Sequence, residues 1–270
     1  MSLHPKRILN RHQIHPKISL GQNFLVDEPI LQRICDLGSL TESDSVLEIG
    51  PGIGSLTRML SDLAGLVTAV ELDQRLIPVL EEELEGYDNV HLVQGDILEC
   101  RLSEIIDSPF KVVANVPYYI TGAIFKMLLT EPDKPDLMVL TVQSEVADRL
   151  TAKPGNMSIL AVSVQLHGEI EKKFTIRSGS FWPKPNVDSA VVQFRAYSES
   201  LIEHSELADL MRLVKTGFSS KRKQLQKNLR AIILDRQRIG DLLDAAGIDG
   251  TRRAQSLSIE EWLVLFKLLG

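Results

Sequence analysis

Four consecutive residues, Asn115-Val116-Pro117-Tyr118, set an amide, a rigid imino acid and an aromatic ring directly after a β-branched run. An exocyclic purine amine is a poor nucleophile, because its lone pair is delocalised into the ring. Two acceptors beside it, the side-chain oxygen of Asn115 and the backbone carbonyl of Pro117, would each take one N–H and draw the nitrogen toward tetrahedral geometry. The lone pair would then aim at a cationic methyl donor, with no strong general base; alignment and removal of water would supply most of the rate. Tyr118 would stack on one face of the base. Phe181, in the proline-stiffened stretch Phe181-Trp182-Pro183-Lys184-Pro185, is the candidate for the other. Stacking is worth about 1 to 3 kcal/mol per base, comparable with the few kcal/mol needed to extrude a base from its stack.

A second group of residues suits the binding of a nucleoside. Gly50-Pro51-Gly52-Ile53-Gly54 follows a candidate strand and leads into a helix starting near Ser55. Clustered glycines let the backbone turn sharply and a ligand approach without Cβ interference. A dinucleotide fingerprint would need a third glycine where this chain has Ser55, which disfavours NAD. Glu71, about 20 residues beyond the loop, closes the next strand and is placed to accept from ribose hydroxyls. Asp96, after Gly95 at the end of the third, is placed to accept from an adenine amine. Either acid alone is an ordinary loop residue, but loop and acids at successive strand ends favour a nucleoside-bearing cofactor. Hydride chemistry would also need a proton-relay residue, and none of the six histidines closes a candidate strand.

These groups must be held by an open sheet. Candidate strands at 46–49, 67–72, 90–94, 111–116 and 137–143 alternate with the helical patterns SLTRMLSDLA, QRLIPVLEEELE and AIFKMLLTE, the signature of a doubly wound α/β fold. A mixed segment follows Arg149, and 187–194 reads as a further strand closing the sheet. After Ser198 the texture is helical, through LADLMRLVKTGF, RKQLQKNLRAIIL, IGDLLDAAG and SIEEWLVLFKLL, so the reading places one domain at 1–200 and a second at 201–270.

The net charge of −6 hides a segregation along the chain. Residues before Asp27 carry +4, Arg212 to Arg238 carry +8, and the remainder carries −18. Lys221, Arg222, Lys223, Lys227 and Arg230 are the candidate polyanion contacts, the plainer alternative being a solvated helix face. Cys35 and Cys100 match no metal-ligand spacing, so no metal is expected. With no long apolar stretch and no apolar leader, the chain is expected to be cytoplasmic, away from membranes and monomeric.

Taken together, GQNFL at 21–25, LEIGPGIGSLT, VELD, GDIL, NVPYYIT, VQSEVADRLTAKPG and PKPNVDSAVV resemble the ribosomal RNA small-subunit adenine N6-dimethyltransferase family, of the KsgA type, over nearly the whole chain. The resemblance implies a Rossmann-like S-adenosylmethionine-dependent methyltransferase core with a small all-helical C-terminal domain. It implies dimethylation of two adjacent adenosines in a hairpin near the 3′ end of small-subunit rRNA, with the subunit or its rRNA as partner. It carries cofactor contacts onto Asn23, Leu25, Gly50, Glu71, Asp96 and Asn115, with Gly52 in the same loop. The family's commoner Asn-Leu-Pro-Tyr-Asn is here altered at Val116 and Tyr119, and the bulkier Tyr119 bears on how a once-methylated amine turns for its second transfer. A sibling family that methylates large-subunit rRNA and confers macrolide resistance shares these core motifs. A non-catalytic assembly factor on the same fold is the other alternative; the long basic appendage and Thr151–Gly155 look more like the small-subunit enzyme.

Overall fold

Valine, leucine and isoleucine saturate the central strands, as expected of a sheet covered by helices on both faces. In the computed structural model, which describes residues 4–130 and 134–270, Val67, Ala69, Val112, Val113, Ala114, Met138, Val139 and Leu140 are fully buried. The chain divides into two compact units, Met1–Ala147 with Ile170–Ala196, and Asp148–Glu169 with Tyr197–Gly270.

In the first unit, α1 (Pro5–Arg11), the two-residue strand β1 (Phe24–Leu25) and α2 (Glu28–Gly38) precede the alternating region. There β2 (Ser45–Ile49), α3 (Ser55–Ser61), β3 (Leu66–Glu71), α4 (Ile77–Glu83), β4 (Val90–Gln94), α5 (Leu102–Ile105), β5 (Phe110–Asn115), α6 (Thr121–Thr130), β6 (Leu137–Gln143) and α7 (Ser144–Leu150) follow in turn. The helix expected over AIFKMLLTE is α6, with its last residue, Glu131, outside the described residues. Three strands complete the unit: β7 (Gly168–Ile176), β8 (Phe181–Trp182) and β9 (Ser189–Ala196). The sheet order is β4-β3-β2-β5-β6-β9-β7. The pairs from β4 through β6 are parallel, and β9 lies antiparallel to β6. β1 and β8 form a separate antiparallel pair, Phe24 opposite Trp182 and Leu25 opposite Phe181.

The second unit is helical. It holds α8 (Ile159–Gln165), α9 (His204–Gly217), α10 (Leu225–Leu229), α11 (Arg236–Ala245) and α12 (Ile259–Leu269). α9 buries Leu207, Leu210, Leu213 and Val214 as one stripe. α12 starts with a capping box between Ser258 and Glu261 and buries Trp262, which stacks on Phe218. A Cβ on Gly217 would stand 2.4 Å from the Trp262 ring, so only glycine permits this approach.

Two expectations are revised here. The boundary near residue 200 leaves 148–169 with the sheet, whereas that segment joins the helical unit. The backbone N–H groups of Gly155 and Met157 both donate to the Gln255 carbonyl, at 2.9 and 3.0 Å, and Gln255 Nε2 returns a bond to Gly155. The stretch RKQLQKNLRAIIL is not one helix: Arg222 and Lys223 stand in the turn after α9, and α10 spans five residues. Buried Asn228 holds that turn by donating to the carbonyls of Gly217 and Ser220.

Candidate active site at the carboxyl edge of the sheet

The strand order reverses at the β2–β5 pair, because β3 and β4 extend the sheet to one side of β2 while β5 and β6 extend it to the other. Such a switch point opens a crevice beyond the carboxyl ends of its two strands. Gly50-Pro51-Gly52 leaves β2 there and Val116-Pro117-Tyr118 leaves β5. The loops touch: a Cβ on Gly50 would stand 3.6 Å from Pro117 Cδ. One cleft accordingly gathers the glycine loop, Glu71, Asp96 and the Asn-x-Pro-Tyr turn.

Gly50, Gly52 and Gly54 all have positive φ, of 72°, 64° and 79°. At Gly52 glycine is required twice over, since a Cβ would also meet the Phe24 ring at 2.9 Å. Glu71 is 6% exposed; its Oε2 accepts the Gly52 N–H at 3.0 Å and its Oε1 the Asp73 N–H at 2.8 Å. Burial pushes its pKa up, and these backbone donors pull against the shift. Each oxygen keeps a lone pair for a ligand hydroxyl. Asp96 lines the same cleft, and its Oδ1 accepts the Leu98 N–H at 2.9 Å.

Asn115 Nδ2 donates to the Asn23 carbonyl at 3.3 Å. That bond fixes which way the amide is turned, leaving Oδ1 as the acceptor available to the cleft. Pro117 O takes the Ile120 N–H in a long bond of 3.3 Å and keeps a second lone pair. Tyr118 is half-buried and its hydroxyl is bonded to Ser189 Oγ, which anchors the ring to the start of β9. Burial raises the Tyr118 pKa, so the phenol stays neutral at physiological pH. Asn23 and Leu25 line the cleft from the N-terminal side.

Phe181 does not face the cleft. It is 3% exposed and packs in the core with Leu25 and Leu31, because pairing of β8 with β1 sets it opposite Leu25. The aromatic ring open at the rim is Tyr119, 57% exposed and lining the cleft. Residue type alone does not set Phe181 apart from the tyrosines; the pairing of β8 with β1 does. Three polar residues that sequence reasoning does not single out stand in the cleft or directly behind it. Glu48 lines the cleft from beneath, 1% exposed, and its Oε2 has no hydrogen-bond partner among the described residues. Gln22 lines it too and bonds to Asp73. The flanking GQNFL and VELD contain the last two, but no local spacing links residues 51 positions apart.

Lys221, Arg222, Lys223, Lys227 and Arg230 belong to the helical unit, all exposed, and none enters an ion pair among the described residues. No cluster of His, Cys, Asp and Glu suited to a metal occurs among the described residues. No helix among them is long and apolar enough to cross a membrane. The cleft fits a nucleoside-bearing methyl donor. Glu71 and Asp96 supply acceptors for hydroxyl and amine groups, Leu72 and Ile97 line it with apolar surface, and glycines clear the backbone.

The profile of the ribosomal RNA adenine dimethylase family matches residues 13–270. A ribosomal RNA small subunit methyltransferase A from Bacillus licheniformis is 41% identical over 272 residues, covering 96% of this chain and 93% of that protein. The protein of the same name from Dehalococcoides mccartyi is 40% identical over 260 residues, covering 95% and 89%. Among solved structures, the 23S rRNA methyltransferase ErmE is 34% identical, covers 92% of this chain and 99% of its own, and has a TM-score of 0.76. A dimethyladenosine transferase from Plasmodium falciparum is 26% identical, covers 90% and 95%, and has a TM-score of 0.79.

Proposed function

The chain belongs to the ribosomal RNA adenine dimethylase family, S-adenosylmethionine-dependent enzymes that methylate rRNA adenine, and from that premise we propose that it dimethylates two adjacent adenosines near the 3′ end of small-subunit rRNA. The observation that carries the reading is the aim of Asn115. Its Nδ2 is spent on the Asn23 carbonyl, so Oδ1 is left to accept an N–H of the target amine beside the glycine loop.

S-adenosylmethionine supplies an electrophilic methyl group on a sulfonium centre. Glu71 would hold ribose hydroxyls, Asp96 an adenine amine, and Asn23, Leu25, Gly50 and Gly52 would shape the remainder of the donor's seat. Asn115 Oδ1 and the Pro117 carbonyl orient the adenine N6 amine. Tyr118 offers its ring to the flipped base, while the opposite face falls to a residue other than the buried Phe181. The same two acceptors, Asn115 Oδ1 and the Pro117 carbonyl, would favour the positive charge that develops on the amine nitrogen when it takes up the donor's methyl group, and would hold its N–H bonds until one proton is released. The helical unit's five exposed cations, Lys221, Arg222, Lys223, Lys227 and Arg230, contact rRNA phosphates. The working environment is the cytoplasm, away from membranes, with a monomer acting on the small subunit or its rRNA.

The likeness to ErmE favours a second reading, methylation of large-subunit rRNA. Higher identity to proteins named for the small subunit supports the first. Methyl transfer from labelled donor to unmethylated small subunits, to large-subunit RNA and to free adenosine separates them. Label on small-subunit rRNA, mapped to two neighbouring adenosines carrying two methyls each, is expected; label confined to large-subunit RNA overturns the reading.

A further inference from the structure

Asp73 stands two residues beyond Glu71, is 3% exposed and does not line the cleft. Its backbone N–H nevertheless donates to Glu71 Oε1 at 2.8 Å. Its carboxylate gathers cations and an amide from elsewhere. Gln22 Nε2 donates to Oδ2 at 2.8 Å, Arg75 donates from Nε to Oδ1 at 2.9 Å and from Nη2 to Oδ2 at 2.6 Å, and Lys17 Nζ lies 3.5 Å from Oδ1. Gln22 Oε1 in turn accepts the Lys17 N–H at 2.6 Å, which closes the turn of the N-terminal arm. Arg75 Nη1 reaches the His15 carbonyl of the same arm.

The residue after Gln22 is Asn23, whose carbonyl orients Asn115. A continuous path therefore runs around the cleft: Gly52 N–H to Glu71, Asp73 N–H to Glu71, Gln22 to Asp73, and Asn115 to Asn23. The geometry points to Asp73 as a positioning residue that ties the donor-binding carboxylate of Glu71 to the arm aiming Asn115, so that donor affinity and amine alignment are set together. The inference rests on the reading of this cleft as the donor site. A carboxylate suits the post because it is acceptor-only with about four lone-pair sites, enough for Gln22, Arg75 and Lys17 at once. An asparagine would keep the shape, but its NH2 would face those cations and amide with a donor.

The test is binding of S-adenosylhomocysteine by calorimetry, without RNA, to the full-length chain and to Gln22→Ala, Asp73→Asn and the double variant. Each single change is expected to weaken binding about tenfold, and the double to lose little more than the worse single, because both break one link of a shared network. Gln22→Ala is also expected to lower kcat at saturating donor, through the freed Asn23 carbonyl, while its thermal midpoint stays within a few degrees of the parent. A purely structural role would move the midpoint and leave kcat per folded molecule unchanged. Should Asp73→Asn fail to fold, Gln22→Ala decides alone by affinity and kcat together. Unchanged affinity in the singles, or losses that multiply in the double, overturns the coupling. Failure of the unaltered chain to bind overturns the donor-site reading, and this inference with it.

Discussion

The cleft at the sheet edge and the basic turn of the helical unit meet a polyanion's chemistry by opposite means. In the cleft nearly every polar group is bonded to a neighbour before any ligand arrives: Glu71 to two backbone amides, Asn115 to Asn23, Tyr118 to Ser189. In the turn, Lys221, Arg222 and Lys223 are exposed and enter no ion pair among the described residues. Low exposure makes an interaction strong but demands geometry, whereas exposed charges tolerate displacement and are weakened by salt. The chemistry belongs where displacement is punished, and the capture of RNA where it is not. Changes in the cleft should thus alter rate or donor affinity steeply, and changes in the turn should alter RNA binding gradually.

The sharpest way to break this contrast is Asn115→Ala. Because the residue acts on alignment of the amine, turnover should fall by about two orders of magnitude or more while RNA affinity stays nearly intact, measured by single-turnover methyl transfer beside filter binding. Equal losses in both would make Asn115 an RNA-binding residue and erase the distinction. Gly52→Ala comes next. It should weaken donor binding and destabilise the chain by about 1 to 3 kcal/mol, since alanine is strained at φ 64° and its Cβ would meet Phe24. Gly86→Ala is the matched control: φ is 89°, but nothing among the described residues lies within 4 Å of its Cβ. Similar effects at both positions would mean that strain alone matters and the close packing over the loop does not.

The same contrast explains what can be read from the chain. The run 137–143 coincides with β6, because burial along nearly its whole length leaves few polar interruptions. The run 90–94 coincides with β4, an end strand whose positions are only half-buried or exposed, and it reads as a strand from its β-branched and apolar residues alone. β7 reads only as part of a mixed segment: GEIEKKFTI alternates buried with exposed positions along much of its length, and its charges mask a strand at the end of the sheet. Glycines and acids at strand ends are legible since their roles depend on the nearest strand alone. Phe181 is not, because the side it faces is decided by pairing with Leu25, far away in the sequence. Gln22 and Asp73 escape notice for the same reason; each looks ordinary until the arm is folded against β3. The fate of 148–169 likewise turns on Gln255, which lies 100 residues beyond its partner Gly155.

For the basic turn, substituting Lys221, Arg222 and Lys223 by glutamine should flatten the salt dependence of RNA binding, by roughly 0.7 to 0.9 in logarithmic slope for each phosphate no longer neutralised. Donor affinity and turnover at saturating RNA should hold. An unchanged slope would leave these cations as solvated surface, and the comparison would then have no second member.

The smallest expected effect sharpens the first member from beneath the glycine loop. Glu48 is 1% exposed, and burial, with Glu71 adding to it, pushes its pKa up to about 8. In the unfolded chain it titrates as an ordinary carboxyl near 4.5. Between those values the folded state holds the proton that the unfolded state has released, so the folded chain binds more protons and stability falls as pH rises. Glu48→Gln removes this titration while keeping the shape. The variant's thermal midpoint, relative to the parent, should therefore climb steadily from pH 5 to pH 8. Asp73, whose pKa is held well below the usual carboxylate range chiefly by Arg75, lies outside this window and does not confuse the readout. A gap that stays constant across the interval would mean that Glu48 is ionised in the fold, and the floor of the cleft would then hold a charge that the donor's own cationic centre must meet.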